Sequence, residues 1–363
     1  MQDQDVVTLT VDGKDFAGWK SVEITPGIER QARDFSLAVT WRWPGGESPV
    51  RITHGARCQI SIGEDLVLTG YVFATPISYD ASQITLRVSG RSLTSDLVDC
   101  SAHRGQWRNQ TVASIVAALA APYGIGVVDQ SGDSTIVSDH QVEPGETVFE
   151  SIDRLLEISA LLSTDDEYGR IVIAKPGSRG RARDALVLGE NVLSASAPLD
   201  FSGVYSEYEC IGQRAGSDES FGEAASEVSS KLTDSRVARH RALTIQPGGQ
   251  VSPAIAARRV LWERESRMAK ALRVEYQVQG WRQTDGSLWR SNTTVMVKDP
   301  LIGFDREMLI AEVKYAKGDK GTTAHLSLAP PAAFEAEPKV RKAKKGKGGD
   351  EFEYLLPSDW ESS

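Results

Sequence analysis

The sequence predicts a mainly β protein of the α+β class. Two antiparallel β-domains, the first a small barrel or sandwich, flank a small α+β domain, and a disordered, charged C-terminal tail follows. Three observations predict this. Apolar residues alternate with period two near both ends of the chain, helical spacing is concentrated in the middle, and the last thirty residues carry runs of like charge. Composition agrees: 40% hydrophobic and 25% charged residues among 363 suffice for a packed core. The 32 Gly, 15 Pro and 8 Trp against 4 Met favour strands and turns over a helical bundle.

The first β-domain is read over residues 1–95. Val7, Leu9 and Val11 alternate with Thr8 and Thr10, Phe35, Leu37, Val39 and Trp41 with Ser36, Ala38 and Thr40, and Ile84, Leu86 and Val88 with Gln83, Thr85 and Arg87. Each set falls on one face of a half-buried strand. Asp12-Gly13, Pro26-Gly27, Pro44-Gly45-Gly46 and Gly63-Glu64-Asp65 supply the turns between them.

The α+β domain is read over residues 96–180. Val112, Ile115, Val116 and Leu119 share a helical face that Pro122 and Gly124 terminate. Thr147 and Glu150 form a capping box ahead of Phe149, Ile152, Leu155, Leu156 and Ile158. Residues 170–174 read as a strand, and the basic run 179–183 as a linker.

The second β-domain is read over residues 185–334. Residues 215–250, rich in Ser and Glu, read as a polar, mobile insertion. Ser252 and Pro253 predict a capped helix over 253–270. Leu272, Val274, Tyr276 and Val278 then alternate with Arg273, Glu275, Gln277 and Gln279. The rhythm of strands near 293–298, 307–316 and 322–328 repeats that of 58–62, 66–73 and 83–89. A duplication leaves such an echo, and so does any antiparallel meander. Residues 335–363 read as a flexible tail, with six basic residues between Lys339 and Lys347 followed by an acidic stretch.

Chemistry is sparse. The net charge of −9, from 41 basic and 50 acidic residues, argues against a general nucleic-acid binder, which needs a basic face. The five His, at 54, 103, 140, 240 and 325, lack metal-ligand spacing, so neither a metal nor a cofactor is expected. Cys58, Cys100 and Cys210 form no Cys-x-x-Cys pair and read as free, buried thiols in a reducing compartment. No Gly-x-Ser-x-Gly elbow occurs, Ser89-Gly90-Arg91-Ser92 being the nearest approach, so no catalytic residue is assigned. Asp165-Asp166-Glu167 reads as a solvated turn. The acidic N-terminus is no secretory signal, and the apolar run 115–122 is far too short to cross a membrane, so a soluble protein without membrane insertion is expected.

Tryptophans are the remaining candidates. Trp41 shares a face with Phe35, Leu37 and Val39 and reads as core. Trp281 falls on the polar register of its strand and reads as an exposed interface anchor. Trp262 lies on a helix among Arg258, Arg259, Glu263, Arg264 and Glu265, where it fits either core or interface. Arg282 and Trp289 complete the candidate interface set.

Two resemblances bear on function. Val142-Glu-Pro-Gly-Glu-Thr-Val-Phe-Glu-Ser-Ile152 is similar to the opening of a LysM glycan-binding module, without that motif's Asn-containing second half. It implies, as an alternative, a module that binds or degrades cell-wall glycan through residues 142–152. The broader resemblance runs through Arg258-Arg-Val-Leu-Trp-Glu263, Leu272-Arg-Val-Glu-Tyr-Gln-Val-Gln-Gly-Trp-Arg282, Asp285-Gly-Ser-Leu-Trp289, Leu309-Ile-Ala-Glu-Val313 and Leu326-Ser-Leu-Ala-Pro-Pro-Ala-Ala-Phe334. Val88-Ser-Gly-Arg-Ser92 and Leu97-Val-Asp-Cys-Ser101 extend it towards the N-terminus. These segments resemble the baseplate hub of Mu-like contractile phages, the tail protein P family, itself related to the hubs of other contractile tails and to type VI secretion spike bases. The resemblance implies a non-enzymatic virion protein, assembled in the host cytoplasm and placed in the tail baseplate. It implies a homotrimer whose two related antiparallel β-barrel domains per subunit form a pseudo-sixfold ring. That ring would join the hexameric tail tube protein to the trimeric central spike protein, contact other baseplate proteins, and let DNA pass without specific binding. An acidic conduit suits the last role because it repels phosphate.

Overall fold

The computed structural model describes residues 5–42, 52–81, 83–213, 227–247, 251–319 and 321–338. Fourteen strands form one sheet. Its main path starts at Val192–Ser196 and crosses Val274–Gln279, Gly321–Ala329 and Phe304–Gly318. It continues through Ser21–Thr25, Asp34–Arg42, Gln83–Ser92, Asp65–Ala74 and Arg57–Ile62 to Val7–Val11 and Lys14–Phe16. The class expected from sequence, mainly β with antiparallel strands, is the class observed.

The two β-domains are continuous through a ladder of backbone hydrogen bonds. The 15-residue strand Phe304–Gly318 pairs with Thr293–Asp299 over its first half, and Tyr315, Ala316 and Lys317 then face Ile24, Glu23 and Val22. Val22, Ile24, Phe35 and Leu37 from one end of the chain pack in the same apolar cluster as Val274, Tyr276, Val313 and Leu326 from the other. Both strand triads of the sequence echo are antiparallel meanders of identical pairing order, Arg57–Ile62 to Asp65–Ala74 to Gln83–Ser92 and Thr293–Asp299 to Phe304–Gly318 to Gly321–Ala329. Each meander carries a register shift between its second and third strands, at Val72/Ala74 and at Ile310/Glu312. Such bulges bend a strand and increase its twist, which lets a ladder curve.

The middle domain contains helices α1 (Ser95–Asp99), α2 (Val112–Ala120) and α3 (Val148–Ser159). The α3 capping box forms as the sequence predicts. The Glu150 amide donates to Thr147 Oγ1 at 3.1 Å, and the Thr147 amide donates to Glu150 Oε2 at 2.7 Å. The helices bury Leu97, Ile115, Val116, Ile152 and Leu155 against Ile171 and Ile173 of a three-stranded sheet made by Val127–Asp129, Leu162–Asp165 and Ile171–Ala174. His140, expected on the surface or packed, is 3% exposed and shares a 2.9 Å hydrogen bond with Ser151 Oγ.

Two expectations are corrected. The polar segment 215–250 is not simply a mobile insertion, because Glu227–Thr233 and Ala242–Ile245 flank Glu207–Gln213 in a separate three-stranded sheet. That sheet buries Tyr208, Cys210 and Val228 against Ala256 and Val260 of α4 (Pro253–Ala271). Only Val228 and Leu232 are apolar in the seven residues Glu227–Thr233, so the alternation is too thin to stand out from the surrounding Ser and Glu. The tail, in turn, starts later than expected. The Glu335 carbonyl accepts a 2.8 Å hydrogen bond from Trp262 Nε1, and Glu337 pairs with Arg259. Residues 339–363, and with them most of the expected tail, lie outside the described residues.

Candidate assembly interface and the interdomain junction

The four residues expected to form an interface are occupied inside one chain. Trp281 is fully buried and Trp289 is 2% exposed, which corrects the expectation of an exposed anchor. The reason is local. Gly280 adopts φ +72°, a left-handed conformation that breaks the alternation after Gln279 and swings Trp281 to the inner face. There its Nε1 donates to the carbonyls of Ala316 and Thr323, each at 3.1 Å, and its ring meets Tyr315 edge to face. The Tyr315 hydroxyl donates to the Trp289 carbonyl, so three aromatic residues lock the seam where the two β-domains share a strand.

Arg282 is a strap between domains. Its Nη1 donates to Asp65 Oδ2 at 2.6 Å and to the Gly286 carbonyl at 2.8 Å, and its Nη2 donates to the Ile62 carbonyl at 2.9 Å. Trp262 is half-buried, with Arg259 and Lys270 lying over its ring, and it holds the chain as it leaves the last β-domain. The Trp41 side chain lies outside what is described.

The carboxylate cluster is likewise corrected. It is a buried ionic junction, not a solvated turn. Arg33 Nε donates to Asp165 Oδ1 at 2.8 Å with both side chains at most 5% exposed, and Arg33 also donates to the carbonyls of Val67 and Asp165. Asp166 caps its own turn by accepting from the amides of Tyr168 and Arg170. Glu167 reaches Arg179 at 3.0 Å and Arg290 at 3.6 Å, and Arg290 and Arg282 converge on Asp65. One ionic chain therefore links all three domains. Burial alone would raise the Glu167 carboxyl, but Arg179, Arg33 and Arg290 hold it below its ordinary value. The basic run 179–183 is a strap as well as a linker: the Arg179 amide donates to the Asn292 carbonyl and Arg181 bridges to Thr294. Sequence reading missed Arg33 because its partner lies 132 positions away and nothing local marks the pairing.

Exposed apolar side chains gather elsewhere. Phe73, Ile77 and Tyr79 crowd one margin of the first meander, and Leu301 stands 84% exposed at the tip of the turn joining Thr293–Asp299 to Phe304–Gly318. An open groove of about 630 Å³ lies where α4 approaches the strands of the last domain and carries Arg236, Arg239, Arg241 and Arg306. Among the described residues no three His, Cys, Asp or Glu side chains converge as metal ligands, and no helix is long and apolar enough to cross a membrane.

Three segments match described families. Residues 6–92 match the N-terminal domain of Mu phage baseplate assembly protein GpP-like proteins, 94–175 the second domain of baseplate hub protein gp44-like proteins, and 252–337 the fourth domain of Mu phage baseplate assembly protein GpP. The baseplate hub protein gp44 of Escherichia phage Mu is 34% identical over 358 residues, covering 94% of this chain and 93% of that protein. The chain belongs to the Mu-like baseplate hub family. The hub fold recurs in the 43 kDa tail protein of prophage MuSo2 from Shewanella oneidensis, at TM-score 0.82 and 34% identity over 91% of this chain and 99% of that one. A tail protein from Neisseria meningitidis shares the fold at TM-score 0.77 and 21% identity, covering 92% and 99%. A type VI secretion component from E. coli shares it at TM-score 0.55 and 13% identity, covering 92% and 79%. The three matches leave residues 176–251 between the second and the last of them, the stretch that contributes Leu186–Val187, Val192–Ser196 and the separate three-stranded sheet.

Proposed function

We propose that this chain is a non-enzymatic structural hub of a contractile-tail baseplate. It acts as a homotrimer whose two meanders per subunit form a pseudo-sixfold ring between the hexameric tail tube and the trimeric central spike, alongside other baseplate proteins. The observation that carries the proposal is the pair of meanders with the same pairing order and matching bulges in one continuous sheet. A subunit with two similar halves repeats one shape six times in a trimer, which suits a sixfold partner on one side and a threefold partner on the other. The ring is located in the virion tail and lets DNA pass. Of the net −9, the segment from residue 335 onward, with six basic and seven acidic residues, contributes −1, so the remaining −8 lies in residues 1–334, where it repels phosphate.

Light scattering on the purified chain tests this. Three chain masses per particle, with no firm retention of duplex DNA at ~0.15 M salt, where the Debye length is about 8 Å, is the expected result. A monomer that instead sediments with peptidoglycan would overturn it in favour of a glycan-binding module working through residues 142–152.

A further inference from the structure

The groove beside α4 has no assigned occupant, and its chemistry is specific. Phe201, Met268 and Leu272 provide apolar contact surface above the buried Val204, with Phe201 44% exposed. Four arginines ring this surface. Arg236 is engaged by Asp234 and Glu265, and Arg241 lies over Tyr205. Arg239 and Arg306 are both exposed, and neither forms an ion pair among the described residues. A matching ligand is an extended peptide that alternates acidic and apolar side chains, since successive side chains of such a peptide point to opposite sides.

The chain carries one such segment. Residues 350–361 read Asp-Glu-Phe-Glu-Tyr-Leu-Leu-Pro-Ser-Asp-Trp-Glu, with five acidic and no basic residues. In an extended conformation Phe352, Tyr354 and Leu356 face one side while Glu351 and Glu353 face the other. We propose that residues 350–361 dock in this groove of the same chain, the aromatic side chains on the Phe201–Met268 surface and the carboxylates at Arg239 and Arg306. Geometry permits it. The chain is tethered to α4 at Trp262 and Arg259 through Glu335 and Glu337, on the same helix that supplies Met268 to the groove. From Arg259 to Met268 is ~14 Å along the helix. The segment 338–349 is long enough to reach up to ~40 Å when extended. Its lysines stay outside the arginine ring, and the acidic half neutralises that ring.

Limited chymotrypsin digestion of the full chain tests the docking, read as the rate of cleavage after Phe352 and Tyr354. Cleavage of a docked segment follows the open population. The double variant Arg239→Glu/Arg306→Glu should raise the rate about tenfold, and so should Glu351→Arg/Glu353→Arg. The chain carrying all four substitutions should recover protection, because the charge pairs are restored in the opposite sense. Equal rates in all four chains would overturn the proposal. Protection that disappears on dilution would assign the groove to another copy's segment and overturn docking within one chain. Since Arg239 and Arg306 are exposed, a circular dichroism melt identical to the parent separates this readout from misfolding.

Discussion

Trp281 illustrates how one backbone angle decides a residue's role. Strand alternation assigns it to the polar face, but the left-handed Gly280 reverses the register by one position, and the indole becomes part of the seam. Truncating a fully buried Trp removes one of the largest side chains in the core along with two hydrogen bonds. Trp281→Ala should therefore lower the unfolding free energy by about 3–5 kcal/mol, visible as a shifted urea midpoint at unchanged slope. A stability within 1 kcal/mol of the parent, accompanied by loss of assembly, would show instead that the residue serves another subunit. The Arg33–Asp165 pair makes the same point for charge. Two ions removed from water are tolerable only because Arg33 also satisfies two backbone carbonyls.

At the scale of elements, close approach between strands explains a sequence motif. In Val88-Ser-Gly-Arg-Ser92 the glycine is required by sterics and not by chemistry. A Cβ at Gly90 would lie 1.9 Å from the Tyr71 carbonyl oxygen, and one at Gly70 would lie 2.0 Å from that of Arg91. The two strands pass each other beside the register shift at Val72/Ala74 with no room for a methyl group. Gly90→Ala should cost at least about 1–3 kcal/mol, measured by thermal unfolding, whereas Gly132→Ala, on an open turn with nothing nearby, should cost less through its positive φ alone. A Gly90→Ala chain as stable as the parent would contradict this account.

Elements whose signals are local were legible in the sequence: the Thr147–Glu150 box, the Ser252-Pro253 start of α4, and the alternation at 272–279. The strands at 227–233 and 242–245 were not, because a small sheet resting on one helix needs few apolar residues. The junction was hidden for a different reason. Arg33, Asp165, Glu167, Arg290 and Asp65 are individually ordinary surface types, and only tertiary proximity converts them into a network anchored on a buried pair.

At the scale of the whole molecule, that network makes the relation of the three domains sensitive to acid. Glu167 titrates below its ordinary value of 4.5 in the folded chain, so the unfolded chain takes up the proton first as the pH falls. The stability that Glu167 contributes is complete above pH 4.5 and is lost as the pH falls through the depressed folded value. Glu167→Gln should accordingly be less stable than the parent at pH 7, and the gap between them should close progressively below pH 4.5 in urea titrations. A gap that stays constant down to pH 3 would mean that the carboxylate charge is not what holds Arg179 and Arg290.

The strand Phe304–Gly318 belongs to two domains at once, and this limits how the protein can be divided. The Ser21–Thr25 edge is covered only because Tyr315, Ala316 and Lys317 arrive from the far end of the chain. A fragment ending near residue 92 would expose an apolar, unpaired edge, the kind of surface that templates aggregation. The first domain is thus finished only when residues 315–317 have been synthesised, and the order of translation keeps the hub's sheet open until then.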